Sequence, residues 1–267
     1  MRTPSPTGTV LDRILEARRA EVEHRKKVLP LTALKYGVRA ATPLRDFCAA
    51  LSGPGLNVIA ELKPASPSSG VLRDPFDPVE LARSLESAGA AALSVLTEGE
   101  FFRGSLKNLR DARKAVSLPA LRKDFIFDEW QVWEARANDA DCFLLIVAAL
   151  GDAELGELLA VGRELGMEAL VEVHTREELD RALAAGGKLI GINNRDLKNL
   201  EVRLETSFLL IDHVPEECVA VCESGLRTHD DLLKLRSAGF DAFLIGEALM
   251  LAPDPGSALR GLLEPRG

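Results

Sequence analysis

The chain has 267 residues, 46% apolar and 28% charged, enough to bury a large core without metals or disulfides. Its net charge of −8 and pI near 5.2, with no long Lys/Arg run, exclude a nucleic-acid-binding composition. No apolar run approaches the roughly 18 residues of a membrane span, and no apolar leader follows Met1, so neither membrane insertion nor secretion is expected and a cytoplasmic location is.

Residues 1–56 stand apart from the rest. Leu11, Ile14, Leu15, Arg18 and Val22 recur at helical spacing and predict a helix over Val10–Val28. Its basic residues Arg18, Arg19, Arg25, Lys26 and Lys27 are interleaved with Glu16, Glu21 and Glu23, which predicts a solvated face. A second short helix is predicted from Thr42 to Leu51, before the turn signal Ser52-Gly53-Pro54-Gly55.

From residue 57 onward, short apolar runs alternate with amphipathic ones. The predicted strands are Val58–Leu62, Ala92–Leu96, Ala120–Lys123, Phe143–Val147, Ala169–Val173, Leu189–Ile192, Val219–Cys222 and Ala242–Ile245. Each is nearly all apolar, as a parallel strand covered on both sides must be. Asp77-Pro78 reads as an N-cap followed by Pro at the first helical position. Thr175 with Glu178 reads as a capping box, and Asp128 and Thr228 open similar stretches. Gly89, Gly166, Gly186 and Gly239 mark helix ends. Eight strand–helix units argue for an α/β fold, a (β/α)8 TIM barrel over 57–267 with the N-terminal helical extension 1–56 packed on it. The extension is expected to cover the N-terminal mouth of the barrel or to lie across the catalytic one. A doubly wound open sheet is the alternative, but no Gly-x-Gly-x-x-Gly follows the first strand.

Active sites of such barrels lie at the C-terminal strand ends. Polar residues cluster there: Glu61 and Lys63 after strand one, Thr97-Glu98 after two, Arg122-Lys123-Asp124-Phe125 after three and Glu172-Val173-His174 after five. Asn193-Asn194-Arg195-Asp196 follows strand six, Glu223-Ser224-Gly225 strand seven and Gly246-Glu247 strand eight. Glu61 and Lys63 are two residues apart, so an extended chain points both the same way, and a Pro/Ser loop follows them. Gly225 and Gly246 fall after strands seven and eight, where barrels frequently bind a phosphate on backbone N–H groups. Lys63 and Lys123 in a dry mouth would have lowered pKa values unless carboxylates such as Glu61 and Glu172 compensate. Such a Lys–Glu network suits proton transfer. His174 reads as a loop residue at a helix start, and no histidine cluster suggests a metal. Cys48, Cys142, Cys218 and Cys222 have no zinc spacing and are expected to be reduced core residues.

Taken together, seven motifs resemble indole-3-glycerol phosphate synthases over about residues 10–255. They are Glu61-Leu62-Lys63-Pro64-Ala65-Ser66-Pro67-Ser68, Ser94–Glu98, Phe102–Ser105, Leu121–Phe125, Leu170–His174, Gly191–Leu197 and Glu223-Ser224-Gly225. The resemblance implies closure of the pyrrole ring of 1-(2-carboxyphenylamino)-1-deoxyribulose 5-phosphate, giving indole-3-glycerol phosphate, CO2 and water in tryptophan biosynthesis. It implies Lys123 as general acid on the substrate ketone and Lys63 as the partner of the anthranilate carboxylate. Glu172 would serve the later dehydration, while Glu61 and Asn193 orient the lysines and the departing hydroxyl. Phe102 and Phe125 would flank the aromatic ring, and Ser66 would be a further substrate contact. Ser224, Gly225, Gly246 and Glu247 would cradle the phosphate, with Arg195 near the anionic end. Glu247 stands where many relatives have Ser or Thr, so only its backbone N–H is expected to face phosphate. Pro64-Ala65 stands where relatives often carry basic residues. No cofactor or metal is implied, the only partner is a small phosphorylated substrate, and a monomer or weak homodimer is expected. No isomerase domain is expected after residue 267. A sugar-phosphate isomerase barrel would share the phosphate loops without requiring Lys63, Lys123 and Glu172 together. A non-catalytic phosphate-binding barrel would not require those charges at all.

Overall fold

A computed structural model describes residues 9–197 and 199–264; the first eight residues of the expected extension and the last three of the chain lie outside them. The barrel strands are β1 (Asn57–Leu62), β2 (Ala92–Leu96), β3 (Ala120–Lys123), β4 (Cys142–Ile146), β5 (Glu168–Val173), β6 (Leu189–Asn193), β7 (Val219–Glu223) and β8 (Ala242–Ile245). All pair in parallel, and β1 closes the sheet by pairing with both β2 and β8. The predicted fourth strand is displaced by one residue, because Val147 begins a 3-10 turn.

Successive side chains of a strand point to opposite faces, and two apolar clusters show this directly. Ile59, Ala92, Leu121, Leu144, Leu170, Leu189, Val221 and Leu244 fill the barrel interior. Their neighbours Val58, Ala60, Leu93, Ala120, Phe143, Val171, Ile190, Ala220 and Phe243 pack outward with the helices. Stepping two residues further along five of the inward rows gives Glu61, Lys123, Glu172, Gly191 and Glu223. The alternation therefore aims every one of those positions into the upper barrel.

The helices between the strands begin where capping residues sit. Asp77 caps Pro78–Ser87 and Asp128 caps Glu129–Ala137. Thr228 and Asp231 form a capping box for His229–Ala238, which Gly239 ends at φ 115°, a conformation that favours glycine. Thr175 caps Arg176–Ala184, but Glu178 accepts from the backbone N–H of His174 rather than that of Thr175. Among the described residues no helix is long and apolar enough to cross a membrane.

The extension reaches both mouths. Helix α1 (Val10–Val28) contributes Val10, Leu11 and Ile14 to the catalytic-end cavity. A helix over Leu31–Gly37, absent from the sequence expectation, follows it and buries Leu34 against Trp130 and Trp133. The helix expected from Thr42 is shorter, Phe47–Leu51, and begins at the N-cap Asp46. Phe47 and Leu51 cap the lower interior beside Ile59 and Ala92.

The solvated face expected of α1 holds for the exposed Arg19 and Lys27, and the packing corrects it for Arg18 and Arg25. Arg18 is 2% exposed, and its Nε and Nη2 donate to the two carboxylate oxygens of Asp124 at 3.0 and 2.7 Å. Arg25 pairs with buried Glu134 and lies over the Trp130 ring. Arg18 and Arg25 face the barrel, and buried carboxylates receive them there. The interleaved charges along the sequence do not distinguish the two situations.

Candidate active site

A cavity of about 620 Å³ opens at the C-terminal ends of the strands, within the range of small-molecule sites. Glu61, Lys63, Ser66, Phe102, Lys123, Phe125, Glu172, Asn193, Arg195, Ser224, Gly225, Gly246 and Glu247 all line it. Its floor is apolar, made by Leu96, Leu144, Ile146 and Leu244.

Lys123 is the electrostatic centre. Its ammonium donates to Glu172 Oε2 at 2.8 Å and to Glu223 Oε2 at 2.6 Å. Burial opposes its charge, yet Glu172, Glu223 and Glu61 outweigh burial and hold its pKa above the ordinary lysine value. The lowered lysine pKa that a dry mouth would impose is thus overcome at this position. The two carboxylates are driven apart. Burial pushes Glu223 up to about 7, opposed by Lys123 and reinforced by the nearby charges of Glu172 and Glu61. Burial also acts on Glu172, but Lys123 and His174 hold it below its ordinary value. One carboxyl near neutrality beside one that stays ionised is the pattern of an acid–base pair.

The sequence puts Glu223 at the end of strand seven but assigns it no role in the site. The parity of β7 places it on the inward row with Val221, the signal that would have found it. Two glycines make room for the buried carboxylates. A Cβ on Gly191 would stand 2.2 Å from Glu223 Oε1, and one on Gly246 2.2 Å from Glu61 Oε2. The close approach demanded of Gly246 is therefore to Glu61, a reason separate from any phosphate.

Lys63 forms its ion pair with Glu61 at 2.6 Å. The Pro/Ser loop beyond it is a small hairpin, Ala65–Ser66 against Gly70–Val71, with Ser66 Oγ accepting from the Ser69 N–H. Phe102 and Phe125 face each other across one wall with ring centroids 6.0 Å apart. Asn193 Oδ1 accepts from the Arg195 N–H at 3.0 Å, and its side chain helps to hold the Glu172 pKa below its ordinary value. At the far rim, Arg195 Nη2 donates to Glu247 Oε2 at 3.4 Å. The Glu247 carboxylate thus has a cationic partner along the cavity wall. Ser224 and Gly225 turn sharply with φ of 69° and 84°. Asn194 fixes that turn by donating to the carbonyls of Glu223 and Ser224.

Behind Lys123 lies a buried ionic layer. Asp124 accepts from Thr97 Oγ1 at 2.6 Å, from Arg122 and from Arg18. These hydrogen bonds lock the strand-three end, and with it the root of Lys123, to α1.

Solved structures share the fold. N-acetylmannosamine-6-phosphate 2-epimerase from Clostridium perfringens matches with a TM-score of 0.61 over 78% of this chain and 92% of its own, at 16% identity. Thiamine phosphate pyrophosphorylase from Pyrococcus furiosus matches with a TM-score of 0.58 over 78% of this chain and 93% of its own, at 19% identity. Sequence relatives are nearer. Indole-3-glycerol phosphate synthase of Rhodococcus jostii is 50% identical over 96% of this chain and 95% of its own. That of Mycobacteroides abscessus is 49% identical over 96% and 94%, and that of Albidiferax ferrireducens 48% over 95% and 97%. The family model for indole-3-glycerol phosphate synthase matches residues 11–262, and the chain belongs to that family.

Proposed function

We propose that the chain converts 1-(2-carboxyphenylamino)-1-deoxyribulose 5-phosphate to indole-3-glycerol phosphate, CO2 and water. The observation that carries this reading is the Lys123 ammonium held between Glu172 and Glu223 in a cavity walled by two aromatic rings. The substrate ring packs on Phe102 and Phe125, which align its carboxyl-bearing carbon with the ketone. Lys123 donates a proton to the ketone oxygen as the ring carbon attacks, and its carboxylate partners keep that proton in place until then. Lys63, held by Glu61, pairs with the substrate carboxylate until the new bond expels it as CO2.

Dehydration follows. The new hydroxyl leaves as water with a second proton, and the methylene carbon beside nitrogen gives up a hydrogen to a carboxylate. Glu172 is the ionised group suited to receive it, and Asn193 orients that carboxylate. Ser66 is a further substrate contact. Ser224, Gly225 and the backbone N–H groups of Gly246 and Glu247 hold the phosphate, with Arg195 beside it. The same reading places the enzyme in the cytoplasm as a monomer or weak homodimer, without a cofactor.

The test is incubation of the purified protein with the carboxyphenylamino deoxyribulose phosphate while following indole fluorescence. Product is expected, and folded protein that forms none refutes the reading. Lys123→Ala is expected to lose at least about 10²-fold in kcat, the usual scale for a general acid; near-full turnover would refute the acid assignment alone.

A further inference from the structure

We propose that His174 is a proton relay that supplies Glu172 and Lys123 from a second pocket beside the active cavity. The proposal rests on the reaction proposed above, whose proton balance requires a supply. The ketone oxygen takes one proton, the hydroxyl takes a second as it leaves, and the methylene carbon returns one. A carboxylate departing as neutral CO2 therefore leaves each turnover one proton short, and solvent must provide it. With substrate in the cavity, the mouth above Lys123 is filled, so a route that bypasses the mouth is needed.

His174 occupies such a route. Its Nε2 is buried, has no hydrogen-bond partner and lies 3.5 Å from Glu172 Oε1. The other oxygen of Glu172 accepts from Lys123. On its far side, His174 Nδ1 lies 3.2 Å from Glu178 Oε2, and that same oxygen accepts from the His174 backbone N–H at 2.7 Å. The displaced capping box at the start of Arg176–Ala184 is thus what orients the ring. A pocket of about 450 Å³ is lined by His174 and Glu178, and Asn193 lines both this pocket and the active cavity.

The charged groups around the ring are Glu172 on its own strand, Glu178 on the next helix and Glu223 on β7. Asp12 of α1 and Asp196, Glu201 and Arg203 of the loop after β6 line the second pocket. Burial lowers the pKa of the imidazole, but the bond to Glu178 and the charges of Glu172, Glu178 and Glu223 raise it above its ordinary value. The imidazolium is thereby populated near neutral pH.

Each step moves one proton, and every electron pair stays on its atom. When Lys123 has given its proton to the ketone oxygen, Glu172 must hold one to return. Nε2–H of the imidazolium breaks as Oε1–H of Glu172 forms. Rotation of the Glu172 carboxyl brings that hydroxyl to Lys123, and the O–H bond breaks as the N–H bond forms on Nζ. The neutral ring keeps its proton on Nδ1 and regains one on Nε2 after a turn of the ring brings that nitrogen to the second pocket, where a hydronium ion gives up its proton by way of Glu178; the ring then turns back.

The test uses the whole chain. His174→Asn and His174→Ala are expected to lower kcat about tenfold or more, less than loss of the general acid itself, with KM within about twofold. The solvent deuterium isotope effect on kcat should rise in both. Imidazole should restore much of the rate of His174→Ala, since the vacated ring space joins the second pocket, and should leave the wild type unaffected. By NMR, the titration midpoint of His174 should fall in Glu172→Gln. His174→Asn with wild-type kcat and isotope effect overturns the relay alone, as does a His174 midpoint unmoved by Glu172→Gln. A wild-type chain that forms no product overturns the reaction and the relay with it.

Discussion

Gly191→Ala tests whether the fit of Glu223 sets the active-site geometry. Gly191 lies on β6 in register with Glu172 and on the inward row. The added Cβ would stand 2.2 Å from Glu223 Oε1 and 3.2 Å from Leu170 Cδ1. Leu170 has to yield only slightly, but the carboxylate must retreat about 1 Å to reach ordinary contact. Glu223 Oε2 is 2.6 Å from Lys123 Nζ, which is itself 2.8 Å from Glu172. A 1 Å retreat either breaks the first hydrogen bond or pulls the ammonium from the second. Displacement of this size costs on the order of 10²-fold in rate, and overpacking costs about 1–3 kcal/mol in stability. Gly191 has no positive φ, so the substitution adds bulk without backbone strain. The assay is kcat from indole fluorescence together with a thermal melt. Gly156→Ala serves as the control, because no atom lies within 4 Å of its Cβ position. Gly156 lies inside the helix over Asp152–Glu164, so the substitution should keep kcat and gain about 0.5–1 kcal/mol. A folded Gly191→Ala protein with kcat within about twofold of wild type would refute the reasoning.

Glu223 has a folded pKa raised to about 7, above its unfolded value near 4.5. The folded state therefore binds more protons between these values, and the contribution of Glu223 to stability falls as pH rises through that window. Glu223→Gln should become progressively less destabilised relative to wild type from pH 5 to pH 7 in parallel urea titrations; a constant difference would contradict this. Arg18→Met removes one of the two arginines on Asp124 and leaves Arg122 at 2.9 Å. We expect a loss of about 3 kcal/mol, the low end for breaking a buried pair, and a raised KM as α1 shifts in the cavity wall. Chemical denaturation and steady-state kinetics together check it, and unchanged values for both would oppose it. Glu247→Gln frees the Arg195 guanidinium from its partner at 3.4 Å. A partly exposed pair of this kind is worth up to about 1 kcal/mol, so KM for the phosphorylated substrate should fall by up to about fivefold; a higher KM would show that the carboxylate aids binding.

The sequence alone determined the number and order of the strands, because a strand buried on both faces has to be apolar throughout and its ends are marked by polar residues and glycine. Parity did more than motif. Glu61, Lys123 and Glu172 lie two residues beyond inward apolar positions, so their convergence follows from the two-residue repeat once the barrel closes. Glu223 obeys the same rule and was legible in principle. The tertiary structure decided what spacing cannot carry. Arg18 and Lys27 look alike along α1, but only Arg18 meets a buried aspartate on a distant strand. His174 is the loop residue that the sequence predicts, but only the fold brings Glu172 and Glu178 to its two sides. The lysine pKa likewise depends on how many carboxylates the closed barrel gathers around one ammonium. Burial and charge pairing arise between strands far apart in the chain, so local pattern fixes which way a side chain points, and only the closed fold fixes what it meets.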